Sequence, residues 1–166
     1  DILDGSAWHR FCDRLRDLGD EILGDDYPTA PRDRAEGFRA LIRKMVYATQ
    51  LELEAGDPDF PTFVRLQDPY NQWGGPNPDN VYLRANIDAA ATYRVWGDVR
   101  GVRQAIFSLH EGDMQLGELG VYGECSLDQL DAPGGHLELS IAPRRLPGNC
   151  IVSDPKARIF TIRVYQ

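Results

Sequence analysis

The hydrophobic period of this chain changes once, near residue 56, from 3.6 residues to 2. A pattern with helical period leaves a strand with apolar groups on both faces, and the reverse holds for a helix. The change therefore divides the chain into a helical part and a strand part. Trp8, Phe11, Leu15, Leu18 and Ile22 recur every three or four residues, while Arg10, Asp13, Arg14 and Asp17 point away. Ser6 is the expected N-cap of this helix and Gly24 its stop. A second helix is expected after Pro31, with Asp33 and Glu36 close to a capping box. Phe38, Leu41, Ile42, Met45, Val46 and Thr49 form its expected inner stripe. Turn formers at 24–28 join the two as an antiparallel pair.

Beyond the change, 81–84, 92–96, 102–109, 120–122, 137–141 and 159–165 alternate as strands. Leu137, Leu139 and Ile141 face one side, and Glu138 and Ser140 the other. Gly97-Asp98, Gly112-Asp113, Pro133-Gly134-Gly135 and Pro147-Gly148-Asn149 separate the strands as turns. Helices followed by short strands, with no βαβ alternation, argue against a Rossmann or P-loop architecture. The expected class is α+β: an N-terminal helical hairpin, then an antiparallel, jelly-roll-like β-sandwich. The expected division is a helical cap (1–55), an acidic aromatic connector (56–80) and the sandwich (81–166).

The connector is the unusual stretch. Residues 51–80 hold six acids and one basic residue, Arg65. Prolines 58, 61, 69, 76 and 78 are interleaved with Phe60, Phe63, Tyr70 and Trp73. Proline stiffening and aromatic content set this stretch apart from a disordered linker. A loop this long in a compact domain is commonly functional. Asp68, Tyr70, Asn71, Trp73, Asn77, Asn80, Tyr82 and Arg84 are the expected ligand contacts. Carboxamides and carboxylates read hydroxyl and amide groups directionally, and the aromatic rings supply flat faces. The competing reading of Asn77–Asn80 is ordinary Asx turn chemistry.

His110 ends a strand beside Glu111 and Asp113 and is the candidate general base, with Asp79 as the carboxylate that exchanges protons with it. The competing reading is a strand-end histidine beside a turn. His136 and Glu138 alternate onto one face, but no third histidine lies near, so no metal site is expected. The acids of the connector lack EF-hand spacing. No nucleophile elbow, Gly-x-Gly-x-x-Gly or Walker loop occurs, so no cofactor is expected.

Of the 166 residues, 18 are Lys or Arg and 26 are Asp or Glu, a net charge of −8. That balance argues against binding to nucleic acid or to anionic lipid. No apolar run is long enough to span a membrane. Cys12, Cys125 and Cys150 contain no Cys-x-x-Cys and are odd in number, as expected of reduced thiols in the cytoplasm. Cys125 and Cys150 could pair if their strands meet. Glu124 beside Cys125 disfavours the thiolate.

Several segments resemble a bacterial domain-of-unknown-function family, number twelve-fourteen, and its twelve-fifty-four relative. They are Arg34-Ala35-Glu36-Gly37-Phe38-Arg39, Gly56-Asp57-Pro58-Asp59-Phe60-Pro61, Asn77-Pro78-Asp79-Asn80-Val81-Tyr82, Pro147-Gly148-Asn149, and Arg158-x-Phe160-x-Ile162-Arg163-x-Tyr165. In order they span about residues 30–165. The resemblance implies jelly-roll-like sandwich domains and relatives with a further segment after Tyr165. The abrupt end here, inside an alternating run, fits that expectation. No agreed reaction or catalytic residue comes with the family. Relatives carry Asn-Trp-Leu after the Pro-Gly turn, where this chain has Asn149-Cys150-Ile151.

Three functions follow as expectations. The first is an enzyme of small-molecule metabolism, of hydrolase or lyase type, with its pocket between cap and sandwich. The second is a non-catalytic sandwich that binds carbohydrate or another small ligand. The third is an assembly module that forms a homo-oligomer or meets a further C-terminal segment.

Overall fold

A computed structural model describes residues 3–65, 78–113 and 116–165. The chain divides into two compact units, residues 1–49 and 50–166.

The first unit is a helical hairpin, α1 (Ser6–Leu23) and α2 (Pro31–Thr49). Gly5, not Ser6, occupies the N-cap position of α1, and no side chain of that residue caps the helix. Asp4 does the work instead, accepting a 2.9 Å bond from the Ser6 backbone N–H. At the other end, Arg34 of α2 donates to the Leu23 carbonyl at 3.1 Å, which satisfies one of the carbonyls a helix terminus leaves open. The seam is tightest at Gly37: a Cβ there would lie 2.8 Å from Tyr27 Oη and 2.9 Å from Ile22 Cγ2. Ile22 and Gly37 are buried, but Trp8, Phe11, Leu18, Phe38, Ile42 and Val46 are exposed. The apolar stripes expected to face inward therefore do so only in part. A stripe more than 100° wide is broader than one helix–helix seam can cover.

The second unit opens with a π-helical turn, Gln50–Glu54, which buries Leu51. Eight strands follow: β1 (Val64–Arg65), β2 (Asn80–Asn86), β3 (Tyr93–Asp98), β4 (Gln104–His110), β5 (Val121–Ser126), β6 (His136–Ala142), β7 (Cys150–Val152) and β8 (Ile159–Tyr165). They form two sheets, β1-β2-β8-β4-β5 and β3-β6-β7. The larger sheet is antiparallel throughout. In the smaller one β6 and β7 run parallel, so the expectation of wholly antiparallel pairing is corrected there. The chain makes that parallel step through the turn at 143–149, with Gly148 at φ 76°. Neither sheet closes on itself among the described residues.

One core draws on both sheets: Phe107, Leu109, Phe160 and Ile162 from the larger, Leu137, Leu139, Ile141 and Ile151 from the smaller. Each such burial is worth about 1.5–3 kcal/mol. The period-2 pattern explains the faces. On β4, Ala105, Phe107 and Leu109 point into this core while Gln104, Ile106, Ser108 and His110 take the other side. The first part of the connector is anchored to this unit. Gly56 accepts from Asn86 Nδ2 at 3.5 Å, Pro58 accepts from the Tyr93 hydroxyl at 3.0 Å, and the Phe63 ring lies 6.0 Å from that of Phe160.

Candidate functional site

The expected ligand contacts Asp68, Tyr70, Asn71, Trp73 and Asn77 lie outside the described residues. The others are placed by the larger sheet. Asn80, Tyr82 and Arg84 alternate onto the face of β2 that turns away from the core, and His110 stands on the same face of β4. Strand β8 lies between them, so Arg84, Thr161, Ser108 and Glu124 form one cross-strand row.

The face carries three separate polar groups, centred on Arg84, Glu124 and His110. Arg84 and Asp113 form a two-pronged ion pair, and the Arg84 side chain is only 7% exposed. Ser108 donates to Glu124 Oε2 at 2.8 Å, and Arg163 donates to the same oxygen at 3.1 Å. His110 Nε2 lies 3.0 Å from Thr161 Oγ1. Burial holds the His110 pKa below the ordinary histidine range. The positive charges of Arg163 and Arg84 act in the same direction, and Glu124 opposes them. On this face Arg84 Nε and Asn80 Oδ1 are buried with no hydrogen-bond partner among the described residues.

The expected proton-exchanging pair is not assembled. Asn80 aligns through Tyr165 with Gln104, whereas His110 aligns through Ile159 with Asn86. Asp79, exposed in the turn before β2, and His110 thus sit at opposite ends of the sheet, about 20 Å apart at the strand rise. The reason is directional: β2 and β4 both run antiparallel to β8, so their starts lie side by side. The carboxylate that acts electrostatically on His110 is Glu124, across the sheet. His136 and Glu138 do meet, at 3.4 Å on the surface, but no cluster of three potential metal ligands occurs among the described residues. Cys12, Cys125 and Cys150 are free thiols. Burial, and secondarily Glu124, raises the Cys125 thiol pKa.

The core-facing side of β2 and β8 carries a cavity. It measures about 470 Å³ and opens where β2 and the 61–63 segment face the edge strand β3. Its lining residues are the aromatics Phe63, Tyr93, Trp96 and Phe160, the apolar Ala85, Ile87 and Ile141, and the one charged residue Arg94; Tyr93 lies on the core side of β3, Arg94 and Trp96 on its outer side. At the opposite margins of the sheets, β5 and β7 close up: a Cβ at Gly123 would fall 3.0 Å from Ile151 Cγ2. The Tyr93 hydroxyl is committed, donating to Pro58 O and accepting from Asp88 N–H at 2.7 Å. Burial raises its pKa; the hydrogen bond from Asp88 N–H opposes that, and the charges of Asp88, Asp59 and Asp57 add to it. The Arg94 guanidinium lies over the Trp96 ring, 5.1 Å from its centroid. These lining residues were missed in the sequence, although alternation does place Arg94 and Trp96 together on one strand face. A tryptophan 62% exposed on the outward side of a strand is the signal that points to them.

No helix among the described residues is long and apolar enough to cross a membrane. No family model matches the chain, and no curated protein matches it. Among solved structures, the chain is similar to an uncharacterised protein from Burkholderia cenocepacia, with a TM-score of 0.86 and 32% identity over 99% of this chain. The chain spans 46% of the length of that protein.

Proposed function

We propose that the β-rich unit is a small-molecule-binding module whose two sheets form an open, jelly-roll-like sandwich of the kind carried by family twelve-fourteen. The observation that carries this reading is the cavity of about 470 Å³ at the open margin between β2 and β3. Its size lies in the range of small-molecule sites, roughly 300–1,000 Å³, and its walls are mostly apolar, as such sites are. Binding is favoured over catalysis because His110 and Asp79 stand too far apart to share a proton. Three free thiols agree with a reducing compartment, and we place the protein in the cytoplasm on that ground.

The test is equilibrium titration with phenylnaphthylamine, a neutral apolar fluorophore, on the full chain. Saturable binding that weakens at least fivefold in Trp96→Ala and in Phe63→Ala supports the cavity as the site. Binding that both substitutions leave unchanged removes it. A second reading, an assembly module, is favoured by the seven large exposed apolar side chains of the helical hairpin. Sedimentation velocity checks it: a monomer at all concentrations argues against self-association.

A further inference from the structure

We propose that the ligand of the β2–β3 cavity is a planar aromatic anion, its ring against Trp96 and Phe63 and its carboxylate or sulfonate on Arg94. This assignment rests on the binding reading above and gives it a chemical class. The walls select the body of the ligand. Four aromatic residues line a space that also presents alanine and isoleucine, so a flat apolar ring finds apolar and aromatic contact there.

The polar inventory selects the head group. Of the three lining side chains with polar atoms, Tyr93, Arg94 and Trp96, the tyrosine is already occupied. Its oxygen donates to Pro58 O and accepts from Asp88 N–H. The indole N–H of Trp96 is a lone donor without charge. Arg94 forms no ion pair among the described residues, in a protein with 26 acids against 18 basic residues. It is held at the mouth by the Trp96 ring, which orients the cation without neutralising it. A guanidinium so placed offers a fork of N–H donors that matches a carboxylate or sulfonate.

Direction follows as well. Asp57, Asp59 and Asp88 act electrostatically on the Tyr93 hydroxyl, so the Tyr93 end of the cavity repels a negative head. The charged end therefore sits at Arg94 and the apolar body runs inward toward Phe63 and Phe160.

The experiment compares two probes with the same ring system on the full chain. Anilinonaphthalenesulfonate carries the negative charge and phenylnaphthylamine lacks it. Both should bind, and both should be lost in Trp96→Ala. The anion should bind about tenfold more tightly at low salt, the scale of one charge-assisted bond. That preference should vanish in Arg94→Gln, persist in part in Arg94→Lys, and shrink as salt is added. If the two probes bind equally and both still depend on Trp96, the anionic class is wrong while the cavity stands. If neither probe responds to Trp96→Ala, the cavity reading fails and the ligand class falls with it.

Discussion

Arg84 meets Asp113 through both terminal guanidinium nitrogens, the second contact spanning 3.2 Å, from a side chain that is 7% exposed. The pair pins the start of the 111–120 loop to the outer face of the larger sheet. There Asp113 also receives Glu118, whose Oε2 accepts from its backbone N–H at 3.0 Å. Removing the charge of one partner leaves the other stranded. Asp113→Asn is expected to destabilise the protein by about 2–4 kcal/mol in urea unfolding, because a buried cation loses its counter-ion. Adding Arg84→Met should restore at least half of that loss, since an apolar side chain of similar length needs no partner there. A double variant less stable than Asp113→Asn would contradict the account.

His110 sets an acid limit. Its folded-state pKa lies below the ordinary value of about 6.5, chiefly through burial. The unfolded chain therefore takes up the proton first as the pH falls. The contribution of neutral His110 is fully present above the unfolded pKa and is lost as the pH drops toward the folded one. Stability curves should decline below about pH 6.5, and His110→Gln should flatten that decline. Glu124→Gln removes the one charge that opposes the shift, so the His110 ring should titrate lower still when followed by proton NMR. A His110 midpoint above that of a free histidine would refute this assignment.

Two glycines in the helical hairpin should respond with opposite signs. A Cβ at Gly19 would touch only Phe38 Cε1, at an ordinary 3.6 Å. Gly19→Ala should therefore stabilise by about 0.5–1 kcal/mol through helix propensity. At Gly37 the added carbon would press on Tyr27 Oη and the buried Ile22 Cγ2, both under 3.0 Å. The helical gain is outweighed by overpacking of about 1–3 kcal/mol, so Gly37→Ala should lower the melting temperature of the helical circular-dichroism signal. Equal shifts in both variants would mean that this seam is loose.

What the sequence reveals here follows the range of the interactions involved. Alternation along β2 puts Asn80, Tyr82 and Arg84 on one face, a relation carried within seven residues. Their sharing a face with His110, and the separation of His110 from Asp79, depend on where β8 inserts. That pairing joins residues some eighty positions apart and leaves no local mark. Strands β1 and β7, two and three residues long, are too short for an alternating pattern to register. The cavity is harder still, because it exists where β2 and β3 do not pair. Ser6 was the expected cap on residue type alone, and Asp4 takes that role because Gly5 adopts the left-handed turn at φ 75°.

Tyr93 couples the connector to the cavity. Its hydroxyl bridges Pro58 O at 3.0 Å and Asp88 N at 2.7 Å, while its ring forms one wall. Tyr93→Phe keeps the wall and deletes the bridge. The loss of two hydrogen bonds should cost about 1–2 kcal/mol, with the stranded Pro58 carbonyl and Asp88 amide turning to water. Because the 57–63 segment then has one tether fewer, probe affinity should fall severalfold although no lining ring is removed. The alkaline behaviour carries a second mark. Burial raises the folded-state Tyr93 pKa above its ordinary value of about 10, so the neutral phenol contributes stability below pH 10 that is lost as the pH climbs toward the folded pKa. Tyr93→Phe should remove that step from the alkaline unfolding curve. If affinity and the alkaline step are both unchanged in Tyr93→Phe, the bridge does not hold the connector in place, and the outer wall of the cavity must be fixed by Phe63 against Phe160 alone.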